Sequence, residues 1–116
     1  MDKRSKGAAG EELAVRYLKK RRYKILCRNF RTKSGEIDII ASKNNATVFI
    51  EVKLRNSASF GYPYEAVDKT KATHLQKTAL AYLIQNNLSE SPCKFEIVSI
   101  LKDGDEYKID IIPLDL

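Results

Sequence analysis

Histidine, cysteine and glycine are scarce in this 116-residue chain, which holds one, two and five of them. His74 is the lone histidine, so neither a catalytic triad nor a histidine-built zinc site can be assembled. Cys27 and Cys93 are isolated in sequence, which excludes a CxxC knuckle and a disulfide framework. Both are read as reduced thiols that fill space in a reducing compartment. The glycines form no Gly-rich phosphate loop. No apolar run approaches the roughly 20 residues of a membrane span. The opening Met-Asp-Lys-Arg-Ser-Lys is charged and leads into no apolar segment, so no secretory signal and a cytoplasmic location are expected.

What is present reads as a soluble globular domain. Apolar residues make up 43% and charged residues 31%, ordinary proportions, and the length suits one domain over 1–116. The net charge of +6 is unevenly spread, because residues 1–33 carry twelve Lys or Arg against three acids. Lys19, Lys20, Arg21, Arg22, Lys24, Arg28, Arg31 and Lys33 form the dense stretch. Cations at a helix end complement its dipole, but that explains about four charges rather than eight. A polyanionic partner is expected, nucleic acid before an acidic membrane surface, since no amphipathic anchor with large apolar residues accompanies the charge.

Periodicity predicts a helix from about Lys6 to Arg21, with Gly10, Leu13, Ala14, Tyr17 and Leu18 on one face. Tyr23–Asn29 reads as a strand and Arg31–Ser34 as a loop. Residues 36–42 and 47–55 form a hairpin, followed by a glycine- and proline-marked loop to Pro63. A second helix is expected over Tyr64–Asn86, its core stripe being Ala66, Leu75, Ala79, Tyr82 and Leu83. Strands at Lys94–Leu101 and Tyr107–Pro113, turning at Asp103-Gly104, complete the order α-β-β-β-α-β-β. The simplest packing is a five-stranded mixed sheet with a helix on each side.

The most informative residues lie in the hairpin. Asp38, Glu51 and Lys53 interrupt runs rich in Ile, Val and Phe, where charge is costly unless compensated. Asn44 and Asn45 tolerate the positive φ of a tight turn, and a turn there pairs residues whose numbers sum to 89. Asp38 then faces Glu51, and Glu36 faces Lys53. Phe49, Glu51, Lys53 and Arg55 share one face of their strand. Opposed Cβ atoms stand roughly 5 Å apart, and two full charges there repel by about 3 kcal/mol at an effective dielectric near 20. Either one acid is protonated or a cation sits between them. All-oxygen ligands select Mg²⁺ or Mn²⁺ over zinc. The competing reading is a different register with both acids in solvent at a sheet edge.

An acid, a turn, then Glu-x-Lys on the next strand suits metal-dependent phosphodiester cleavage. Asp38 and Glu51-Val52-Lys53 resemble the signature of the PD-(D/E)XK nucleases of the restriction-endonuclease-like fold. More broadly, Gly7-Ala-Ala-Gly10-Glu11, Tyr17-Leu18, Asn29-Phe30-Arg31, Gly35-Glu-Ile-Asp-Ile-Ile40, Phe49-Ile-Glu-Val-Lys53, Arg55, Gly61-Tyr-Pro63, Glu65-Ala-Val67 and Lys71 resemble the YraN-like bacterial family. Those proteins are predicted endonucleases distantly similar to archaeal Holliday junction resolvases. One departure is Ile37, which stands where the broad signature has proline.

The resemblance implies that Asp38 and Glu51 are metal ligands, with the Val52 carbonyl a third, and that Lys53 is the catalytic lysine. It also implies a glutamate on the first helix, matching Glu11. Helical phase separately puts Glu12 opposite the apolar stripe and Glu11 at its flank; an acid favoured by the helix dipole is the competing reading for Glu11. Arg55 and Lys71 join the basic residues as nucleic-acid contacts, although Lys71 and Gln76 can equally be a solvated helix face. Tyr62 and Tyr64 form either a DNA-facing loop or a core closure. The expected activity is hydrolysis of DNA with Mg²⁺ or Mn²⁺, on branched or damaged DNA in recombination or repair. The rival expectations are a non-catalytic nucleic-acid-binding module and a protein-binding adaptor. Branched substrates would suit a symmetric homodimer.

Overall fold

Two helix-period stretches and five β-branched runs build a single sheet with a helix on each face. The computed structural model describes residues 3–56 and 68–116, with side chains from Ala9 onward. Tyr62, Tyr64 and Ala66 lie outside the described residues. The elements are α1 (Lys3–Lys20), β1 (Lys24–Thr32), β2 (Gly35–Lys43), β3 (Ala46–Asn56), α2 (Lys69–Gln85), β4 (Cys93–Asp103) and β5 (Glu106–Leu114). The order is the expected one, and the strands lie side by side as β1-β2-β3-β4-β5. β3 and β4 run parallel, while the other neighbouring pairs are antiparallel. A parallel pair needs a long crossover, and α2 lies within it.

Strand alternation divides the core between the two faces. Val48 and Ile50 pack with Ala14, Val15 and Leu18 of α1, together with Val98 and Ile100 of β4. Phe49 points the other way and packs with Leu75, Ala79, Tyr82 and Leu83 of α2. Each fully buried aliphatic side chain contributes about 1.5–3 kcal/mol, so both helices are held by burial more than by helix propensity. Tyr17, expected in the α1 stripe, is half-exposed with the Arg21 guanidinium stacked 3.4 Å above its ring; Val15 is the buried residue missed by the periodicity.

The hairpin turn is as expected: Asn44 and Asn45 have φ of 51° and 66°, and pairs from Lys43↔Ala46 to Ile39↔Ile50 sum to 89. Several boundaries differ, three of them with a clear local cause. β1 continues to Thr32 and leaves only Lys33 and Ser34 as a turn, closed at Gly35, whose φ of 148° suits glycine. α2 begins at Lys69 rather than Tyr64, because the Asp68 side chain caps it by accepting from the Lys71 amide at 2.8 Å. The last hairpin turns on Gly104-Asp105, one residue later than expected. β5 is an edge strand, which is where Pro113 is tolerated.

Candidate active site

The site begins where the hairpin ladder ends. Strict alternation would put Ile37 and Ile39 on one face, yet Ile37 packs against the α2 side and Ile39 against the α1 side. β2 therefore changes face at Asp38. Its neighbour β1 does the same, since Cys27 and Phe30, three residues apart, both lie against the α2-side cluster. Asn29 sits between them at φ 54°, a left-handed conformation that asparagine accepts more readily than most residues. The kink ends the β2–β3 ladder at Ile39↔Ile50, one rung before the expected Asp38–Glu51 pair. Asp38 instead turns its carboxylate across the gap, where Oδ2 accepts from the Val52 amide at 2.8 Å. A side chain thus takes the place of a missing ladder bond.

Glu51 is buried on the α2 face of β3, and only 10% of its side chain is exposed. Lys71 of α2 reaches it, with Nζ 3.5 Å from Oε2. Burial first, and then the nearby Asp38 carboxylate, push Glu51 up to about 7, against the opposing pull of Lys71 and Lys53. Burial also raises Asp38, only partly offset by the Val52 amide. Lys53 is lowered, first by burial and then by the neighbouring Lys71, while the two acids favour its charge. Two acids raised toward protonation and the ammonium ends of Lys53 and Lys71 therefore share one recess. That density of perturbed groups marks functional sites more often than structural ones.

Glu36 does not meet Lys53, as the hairpin register suggested; it pairs with Arg31 across β1–β2 at 3.3 Å. The reason is the same kink, beyond which β2 and β3 are no longer laddered. Glu11 flanks the recess from α1, and its carboxyl is raised by burial and then by Asp38. Gly10 faces β3, where a Cβ would make ordinary van der Waals contact with Leu54 at 3.6 Å and Val52 at 3.9 Å. With its amide oriented by its neighbours, Asn29 donates to Glu11 Oε1 at 3.1 Å and to Glu36 Oε1 at 3.2 Å. Asn29 thus bridges two acids, a role the sequence did not reveal. An asparagine inside a strand, a site where it is depleted, was the available signal. Glu12 is exposed and pairs with Arg28 at 3.2 Å.

The basic residues fall into two groups rather than one surface. Arg28 and Arg31 lie on β1 and are paired with the exposed Glu12 and with Glu36 respectively. Lys19, Lys20, Arg21 and Arg22 lie at the C-terminal end of α1, next to the hairpin turn, where Lys43 Nζ donates to the Arg21 carbonyl at 2.6 Å. At 1.5 Å per helical residue, Lys20 is about 13 Å along the axis from Glu11. Lys33 is exposed in the β1–β2 turn. Arg55 is half-buried, and its Nε is buried with no partner among the described residues. Lys71, for which a solvated helix face was one expectation, is instead drawn onto Glu51.

Among the described residues no three His, Cys, Asp or Glu side chains converge closely enough to cage a metal ion. Asp38 and Glu51 offer two carboxylates, and Val52 a main-chain oxygen beside them. Mg²⁺ is commonly held by one or two carboxylates and keeps several waters, so this donor set fits Mg²⁺ better than an ion requiring an all-protein cage. None of the described helices is long and apolar enough to cross a membrane.

Residues 10–100, a span that contains the whole recess, match the model of uncharacterised protein family UPF0102. The chain belongs to that family. A UPF0102 protein of Caldicellulosiruptor saccharolyticus is 44% identical over 111 residues, covering 96% of this chain and 94% of the relative. One from Geobacter metallireducens is 43% identical over 95% of this chain and 90% of its own length. Another, from Syntrophomonas wolfei, is 45% identical over 94% and 95%. These UPF0102 relatives carry the family designation and no named activity.

Proposed function

We propose that this protein is a metal-dependent endonuclease that hydrolyses phosphodiester bonds in DNA, branched or damaged DNA being the substrate class that its resolvase-like motifs suggest. The observation that carries the reading is the buried Glu51 carboxylate beside Asp38, with Lys53 and Lys71 converging on it. A domain that needed only stability would have no use for two acids whose burial drives them toward protonation. Asp38 and Glu51 would hold Mg²⁺ or Mn²⁺ with the Val52 carbonyl; the bound ion would polarise a phosphoryl oxygen and lower the pKa of an attacking water.

The remaining roles belong to the chain itself. Lys53 lies on the same strand face as Glu51, where its ammonium can orient the water and offset charge that grows on the phosphate. Burial and the neighbouring Lys71 lower its proton affinity, so it gives up a proton more readily than an ordinary lysine. The Asp38–Val52 hydrogen bond fixes the carboxylate. Glu11, tied through Asn29 to Glu36, adds negative charge at the flank and positions rather than ligates. Arg55, whose Nε has no partner among the described residues, would turn its guanidinium to the substrate backbone.

The test is cleavage by purified protein, with Mg²⁺ or Mn²⁺, of a panel of duplex, single-stranded, flap and four-way-junction substrates in DNA and RNA. Asp38→Ala should abolish cleavage and retain salt-sensitive binding. A second reading, a non-catalytic nucleic-acid-binding module, is favoured by the basic group at the end of α1, which stands apart from the acids. Binding without cleavage of any substrate, together with no divalent-ion heat in calorimetry, would establish that reading instead.

A further inference from the structure

We propose that Lys71 is the resident counter-cation of Glu51, which a divalent ion displaces, freeing its ammonium to bind a phosphate of the nucleic acid. The inference rests on the metal-dependent reading above and adds a competition and an exchange to it. Four charged side chains meet in the recess: Asp38, Glu51, Lys53 and Lys71. With both acids ionised and both lysines protonated, the recess is neutral overall. A divalent ion placed between the carboxylates would make it doubly positive if every lysine stayed in place. Repulsion between the ion and an ammonium 3.5 Å from one of its ligands favours departure of that ammonium.

Which lysine leaves follows from how each is attached. Lys53 grows from the same strand as Glu51, two residues on, and strand geometry keeps the two side chains on one face. Lys71 comes from the other layer. Its backbone is pinned in the first turn of α2 by the Asp68 cap at 2.8 Å, yet its side chain spans the gap to β3 on four rotatable methylenes. It is 35% exposed, so part of the side chain already borders solvent. Among the described residues it makes the sole ion pair between α2 and the acids. Released, it remains tethered within reach of the same recess. Metal loading and nucleic-acid binding are then positively coupled through one side chain, and linkage requires the coupling to run both ways.

The experiment is calorimetric titration of Mn²⁺ into nucleic-acid-free protein, wild type against Lys71→Met and Lys71→Gln. Lys77→Met removes an exposed charge from the same helix away from Glu51 and serves as the control. Both Lys71 variants should bind Mn²⁺ roughly fivefold more tightly than wild type, since the ion no longer has to break the Glu51–Lys71 ion pair. The control should stay within about twofold. The second readout is anisotropy of a labelled duplex with and without Ca²⁺, in which wild type should gain affinity on metal addition and the Lys71 variants should gain less. Equal or weaker Mn²⁺ affinity in the Lys71 variants overturns the exchange and leaves the metal reading standing. Absence of Mn²⁺ binding in wild type and variants alike overturns both.

Discussion

Glu51→Gln isolates the free-energy cost of holding a carboxylate in this recess without a divalent ion. The carboxyl is pushed from an ordinary 4.5 to about 7 by burial and Asp38, and its side chain is only 10% exposed, so solvent screens little of the effect. A raised carboxylate means that the folded state binds the proton more tightly than the unfolded chain. Its stabilising contribution is therefore complete below about pH 4.5 and is lost as pH rises through 7. At about 1.4 kcal/mol per pH unit, the loss amounts to about 3 kcal/mol by pH 8. Asp38 and Glu11 are raised as well and add in the same direction.

Glutamine keeps the shape of the side chain and never ionises, but it forfeits the ion pair with Lys71. At pH 8 the metal-free variant should thus be more stable than wild type by ~1–3 kcal/mol, or roughly 4–12 °C in Tm for a domain of this size. At pH 5 the two should lie within about 1 kcal/mol. Denaturant unfolding in chelator from pH 4.5 to 8 measures both. Adding Mg²⁺ at a hundred times its Kd should return roughly 2.7 kcal/mol to wild type and much less to the variant. Parallel pH profiles for the two proteins would refute the reasoning, because Glu51 would then not be titrating across this range.

Two further outcomes follow from other parts of the fold. Replacing Lys19, Lys20 and Arg22 together by glutamine should flatten the log–log salt dependence of duplex binding by roughly 2–3 and leave Mn²⁺ affinity unchanged, because these cations lie about 12 Å or more along α1 from Glu11; filter binding across a salt series measures the slope. Tyr23→Phe should destabilise the protein by about 1–3 kcal/mol without altering Mn²⁺ affinity, since the buried Glu96 would lose the hydroxyl that donates to it at 2.8 Å; urea unfolding and calorimetry read the two quantities.

Much of the fold could be read from local pattern. Asn44-Asn45 specified the turn, and one turn sets the register of every rung that follows it, so the strand parity of Glu51 and Lys53 was legible without coordinates. Element boundaries were less so. The start of α2 depends on Asp68 acting as a cap, and an aspartate reads the same in a loop as at a helix start. The kink at Asn29 and Asp38 was invisible for a deeper reason. It is a property of two strands at once, and periodicity is evaluated one strand at a time.

The candidate site divides along the same line. Sequence alone determined that Asp38 and Glu51 share a hairpin, that Lys53 accompanies Glu51, and that positive charge is concentrated in the first third of the chain. Those are consequences of order along the backbone, where two-residue alternation and a tight turn leave little freedom. Tertiary structure decided that Asp38 bonds to the Val52 amide, that Asn29 bridges Glu11 and Glu36, that the basic residues at the end of α1 lie away from the acids, and that Lys71 arrives at Glu51 from the helix layer. Each depends on how a helix docks on a twisted sheet, and docking is set by the summed burial of many side chains rather than by the spacing of any few.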